Sequence, residues 1–187
     1  MTLNTAFLYL LIIIVFCFQT KKKIVIRKLD MCKGQGKYPV MFSNATTSYN
    51  KQSQEMWFGV NIDVDKEVSN NFTMAFDFIR CDASGNPDSC EYVIKNYVNK
   101  EICKYMGMKN QAWTVFVDYV HPPLKCPIKP ATYKLVNSPV KADFLRTLPI
   151  GDAVWKVTFR GYDNDVYLAC VNLELQVIPF VREGRRG

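Results

Sequence analysis

The sequence predicts an all-β fold, an antiparallel β-sandwich with one short helix. Three observations carry that prediction. Apolar and polar residues alternate along five segments, turn-forming clusters separate them, and six cysteines follow an apolar leader. The chain has 187 residues, of which 49% are hydrophobic and 13% aromatic. That composition excludes a disordered protein, and the length suits one domain. A single histidine leaves little material for acid–base catalysis at neutral pH or for a His-based metal site.

Taken in order, residues 1–20 carry no charged side chain, and Ala6 to Phe18 is an unbroken apolar run. Its length is that of a signal-peptide core, too short for a spanning helix. We therefore expect a signal peptide over 1–20, cut within Cys17–Thr20, although Lys21-Lys22-Lys23 follows the run where a signal would carry its charge before it. An uncleaved anchor is the rival reading. The domain is expected over 21–180, with a basic tail over 181–187. The net charge of +7 is scattered apart from the lysine cluster and that tail, which argues against nucleic acid as a partner.

Met56, Phe58, Val60, Ile62 and Val64 recur at every second position of Glu55–Val64, with Asn61 and Asp63 facing the other way, and Phe72, Met74, Phe76 and Phe78 recur likewise in Phe72–Ile79. Trp113, Val115, Val117 and Tyr119 show the same period, as do Ala153, Trp155, Val157 and Phe159. Val171, Leu173, Leu175 and Val177 complete the set. One buried face and one wet face are what an antiparallel sheet requires. Gly161–Asp165 reads as the turn of a hairpin between the last two strands, and Asp82–Asp88 reads as a loop. Asp88 and Glu91 have capping-box spacing. Ile94, Val98, Ile102 and Tyr105 then recur on one helical face until Gly107, so a helix is expected there. Phe144–Leu148 is expected to form a helical turn ended by Pro149.

Removal of Cys17 with the leader leaves Cys32, Cys81, Cys90, Cys103, Cys126 and Cys170. An even count behind a signal sequence points to disulfides in an oxidising compartment, and six cysteines allow fifteen pairings. Cys81 and Cys90 flank one short loop, close enough to bridge. Joining Cys32 to Cys170 would enclose most of the domain and leave Cys103 for Cys126. The sequons Asn44-Ala45-Thr46 and Asn71-Phe72-Thr73 make Asn44 and Asn71 candidate glycosylation sites on the same secretory route. No nucleophile elbow, HExxH pair or phosphate-cradling loop is present, so no catalytic residue, metal or cofactor is expected. The aromatic excess then reads either as a packed core or as the lining of an apolar cavity.

Cys126-Pro127-Ile128-Lys129-Pro130-Ala131-Thr132-Tyr133-Lys134-Leu135 resembles the C-P-[FI]-K-x-G-T-Y-x-L segment of the ganglioside activator proteins, with Ala131 in place of the glycine. Leu148-Pro149, Gly151, Trp155 and Leu168-Ala169-Cys170-Val171-Asn172-Leu173 are similar to that family's following pattern. The whole chain also looks like the insect chemosensory B-type secreted proteins of the same ML-type lipid-recognition superfamily. The resemblance implies an immunoglobulin-like sandwich opened into a lipid-binding cup, secreted and non-catalytic. It implies the pairs Cys32–Cys170, Cys81–Cys90 and Cys103–Cys126. On that basis Phe58, Met74, Phe76, Trp113, Val115, Trp155 and Phe159 are expected to line the cavity. Phe144 and Leu145 would form its rim, with Lys141 and Arg146 attracting an anionic headgroup. The implied partners are a lipid or other hydrophobic molecule, then a membrane surface, receptor or glycolipid hydrolase. The competing expectation is an extracellular interaction module with a solid core.

Overall fold

Strand-forming, period-two segments dominate the computed structural model, which describes residues 22–34, 37–50, 55–111, 113–140 and 152–179. The strands are β1 (Lys22–Met31), β2 (Val40–Asn50), β3 (Glu55–Val64), β4 (Phe72–Cys81) and β5 (Glu91–Asn99). They continue with β6 (Val120–His121), β7 (Ala131–Val140), β8 (Ala153–Asp163) and β9 (Val166–Pro179). A five-stranded sheet runs in the order β1-β9-β8-β4-β5, and a four-stranded sheet runs β2-β3-β7-β6. Every pairing is antiparallel. The all-β sandwich is therefore the architecture.

The two sheets meet over one main core. Met56, Phe58, Val60 and Val64 of β3 and Tyr133 and Leu135 of β7 are buried against Ile26 of β1 and Leu168 of β9. Their exclusion from water is the main stabilising term, at about 25 cal/mol for each Å² of apolar surface. A smaller cluster joins Ile24 and Val177 to Trp155, Leu175 and Val140. The other face of the five-stranded sheet is polar: Thr158 donates to Asn172 at 2.8 Å, and Arg160 pairs with Asp77 at 2.6 Å. Apolar inside and polar outside is the pattern the sequence alternation encodes.

Three disulfides tie the elements together. Cys32–Cys170 fastens the end of β1 to β9, with Cα atoms 5.3 Å apart. Cys81–Cys90 closes the β4–β5 connection. Cys103–Cys126 joins the segment after β5 to the segment before β7, and so links one sheet's edge to the other sheet. These are the pairs implied by the resemblance.

Two elements differ from expectation. The helix expected from Asp88 to Gly107 is a 3₁₀ turn at Pro87–Ser89, strand β5, and a helix only over Ile102–Met106. Asn86, rather than Asp88, caps the 3₁₀ turn: its side chain accepts from the Asp88 N–H at 3.1 Å. Ile94 and Val98 are both four apart and on a strand. Pairing with Phe78 and Ala75 of β4 decides between the two. Trp113–Tyr119, expected as a strand, is instead a helical turn over Thr114–Val117, held by backbone bonds such as Asp118 N–H to Thr114 O at 2.9 Å. Strand β1, which no period-two pattern marked, lies ahead of Cys32 and pairs with β9 along its length.

Candidate functional site

The face of β4 that looks inward carries Phe72, Met74, Phe76 and Phe78. Phe72 packs against the main core, but its row-mates further along the strand belong to neither core cluster. Phe76 sits edge-to-face on Phe159 of β8, with ring centroids 5.5 Å apart. It also lies 6.2 Å from Phe78 and 6.2 Å from Tyr97 of β5. Phe76, Phe78 and Phe159 are only half-buried, and Tyr97 is 54% exposed. The result is a patch of touching rings on the inward face of the five-stranded sheet that belongs to neither core cluster. Rings in this arrangement hold each other in place through edge-to-face attraction, which pre-forms an apolar surface.

The local sequence explains the placement. Phe76 is opposite Phe159 in the β4–β8 ladder and opposite Tyr97 in the β4–β5 ladder, so three adjacent strands present an aromatic residue in one row. Cross-strand neighbours lie about 4.5–5.5 Å apart at Cβ, which brings the rings into contact. Phe78 and Tyr97 are not among the expected lining residues: Phe78 is expected only on the inward row of its strand, and Tyr97 in a helix. The segment around Tyr97 carries a helical spacing as well as the β-branched and aromatic content of Tyr92, Val93, Ile94, Tyr97 and Val98, and that content was the usable signal.

The seven expected lining residues are distributed differently. Phe76 and Phe159 lie in the patch, and Met74 precedes Phe76 on the same inward row. Phe58, at 6% exposed, is part of the solid core. Trp155 lies on the inward row of β8 but packs against the cluster of Ile24 and Val177. Its indole N–H is buried and finds no acceptor among the described residues. Trp113 is 37% exposed, and its indole N–H donates to the Tyr105 carbonyl at 2.9 Å on the surface. Trp113 is therefore corrected from cavity lining to a surface brace, because the strand expected to aim it inward is a helical turn. Val115 lies in that same turn. The expected rim residues Lys141, Phe144, Leu145 and Arg146 lie outside the described residues, as does the expected signal peptide.

The site's chemistry is that of contact and burial. All six described cysteines are in disulfides, so none of these thiols is free. Among the described residues no group of three or more His, Cys, Asp or Glu side chains is placed to hold a metal ion. His121 is exposed on β6. No described helix is long and apolar enough to cross a membrane. A separate groove of about 590 Å³ opens on the polar, outer face of the five-stranded sheet.

No protein-family model matches this chain. No curated protein matches it. A solved structure does. A Niemann-Pick type C2 protein from the Japanese carpenter ant is similar over 79% of this chain and 97% of its own, at 14% identity and a TM-score of 0.37.

Proposed function

We propose that this protein is a secreted, non-catalytic carrier that holds a hydrophobic small molecule between its two sheets, for transport or presentation. The observation that carries this reading is the patch on the inward face of the five-stranded sheet in which Phe76 meets both Phe78 and Phe159, left half-buried outside the core. A lipid tail laid on it would gain roughly 0.8 kcal/mol for each methylene removed from water. Three disulfides support a route through an oxidising compartment. The Cys126–Leu135 motif supports placement in the ML-type lipid-recognition superfamily, and insect chemosensation is the setting that this resemblance offers. Lys141 and Arg146 would attract an anionic headgroup.

Native mass spectrometry of the secreted protein is expected to show co-purified lipid, and delipidated protein is expected to bind a fluorescent fatty acid. Phe159→Ser should weaken that binding about tenfold, the effect of ~1.4 kcal/mol of lost apolar contact. Absence of ligand together with absence of binding after delipidation would sink the carrier reading and leave the interaction module. Incubation with glycolipid substrates and no added hydrolase is expected to give no turnover.

A further inference from the structure

We infer that the groove on the outer face of the five-stranded sheet is the seat of the protein's own N-linked glycan, attached to Asn71. This rests on the secretory route proposed above and is independent of ligand binding between the sheets.

The groove is built where the acceptor triplet Asn71-Phe72-Thr73 enters β4. Asn71 and Thr73 both line it, while Phe72 between them turns to the core. Asn71 is exposed, and its Nδ2 donates to Asn164 Oδ1 at 3.3 Å across the β8–β9 hairpin. The atom that would carry the sugar is therefore already directed along the groove wall. Nδ2 has two hydrogens, so replacing one with a sugar carbon leaves the other for Asn164.

The lining matches the two-sided chemistry of a sugar ring. Thr73 and Asn164 offer hydroxyl and amide groups, and Lys100 adds a cation that donates. Ala75 and Val98 give a small apolar surface for ring C–H groups, flanked by the Tyr162 ring. Val98 is 46% exposed on the edge strand, and a seated glycan would cover it. A volume of about 590 Å³ falls in the range of roughly 300–1,000 Å³ that holds small organic ligands. Asn44, the other sequon asparagine, sits exposed at a bulge in β2 and lines no part of this groove.

The modification transfers an oligosaccharide from a lipid-linked diphosphate donor. The bond from sugar C1 to Asn71 Nδ2 forms, the bond from C1 to the phosphate oxygen breaks with its electron pair on that oxygen, Nδ2 releases one proton to solvent, and the lipid diphosphate leaves. No oxidation or reduction occurs.

The full chain, expressed in eukaryotic secretory cells, tests this by glycopeptide mass spectrometry followed by digestion with a peptide-N-glycosidase. Asn71 is expected to carry a glycan released at least about tenfold more slowly from native than from denatured protein. Tyr162→Ala and Val98→Ser should each speed native release at Asn71 by roughly threefold to tenfold, a single contact's worth, with Asn44 unchanged. A glycan on Asn44 with Asn71 bare would overturn the proposal while the secretory route stands. Both sites bare would overturn the proposal, while the route is judged by whether the protein reaches the medium with its three disulfides formed, and ligand binding is judged on the same material. Equal release rates from native and denatured protein would show an occupied sequon without a seat, which also overturns it.

Discussion

Asp77 fastens three strands of the polar face. From β4 its carboxylate accepts from the Arg160 guanidinium of β8 at 2.6 Å and from the Asn96 backbone N–H of β5 at 2.6 Å. The Arg160 contact, reinforced by the Asn96 N–H and opposed by burial, holds the carboxyl below the usual carboxylate range. Because the folded value lies below the unfolded one, the contribution is present above about pH 4 and is lost as pH falls through the folded value. Asp77→Asn should cost roughly 1.5–3 kcal/mol at neutral pH, the worth of a charged hydrogen bond, and should flatten the acid limb of the stability curve. Urea titrations at a series of pH values measure both effects, and an unchanged acid limb would assign the acid sensitivity to other carboxylates.

At the level of elements, the middle of β3 is closely approached by both of its neighbouring strands. Gly59 lies between bulges on both sides, where the β2 and β7 registers slip. A Cβ there would meet Thr46 Oγ1 at 2.8 Å and the Leu135 carbonyl oxygen at 3.2 Å. The hydroxyl can rotate away, but the backbone oxygen is fixed in the β3–β7 ladder. Gly59→Ala should therefore destabilise by roughly 1–3 kcal/mol through overpacking, read as a lower Tm. A variant as stable as the parent would mean that the two bulges absorb the methyl group. Elements are also where pattern reading succeeded and failed. β3, β4, β8 and β9 each keep one apolar row along the face that looks inward, and the Asn164-Asp165 turn closes the β8–β9 hairpin through left-handed φ values of 46° and 67°. β1 and β2 carry little of this signal. β2 is a polar, largely exposed edge with no alternation to read, and β1 has only Ile24 and Ile26 buried.

For the whole molecule, the disulfides differ in what they constrain. Cys32–Cys170 spans 138 positions of chain and Cys81–Cys90 spans 9. In the chain-entropy model these correspond to about 5 and about 3 kcal/mol. Replacing Cys32 and Cys170 together by alanine is expected to lower denaturant stability more than replacing Cys81 and Cys90. The reverse order would place the stabilisation in local geometry rather than in the unfolded chain.

The sequence by itself determined the fold class, the inward rows of four strands, one hairpin, and a cysteine set whose pairing the motif resemblance supplied. These follow from period-two alternation and turn chemistry, which are local. Only the tertiary structure decided that Glu91–Asn99 is a strand, since its residues suit a helix equally well until β4 pairs with them. It also decided that Trp113 braces the surface while Tyr97 joins Phe76 and Phe159. Whether a ring belongs to a filled core or to an open patch depends on what the opposite sheet places above it, and that is a property of packing between distant segments. The aromatic excess thus divides: Phe58 fills the core, and Phe76, Phe78 and Phe159 are left half-buried on the inward face of the five-stranded sheet.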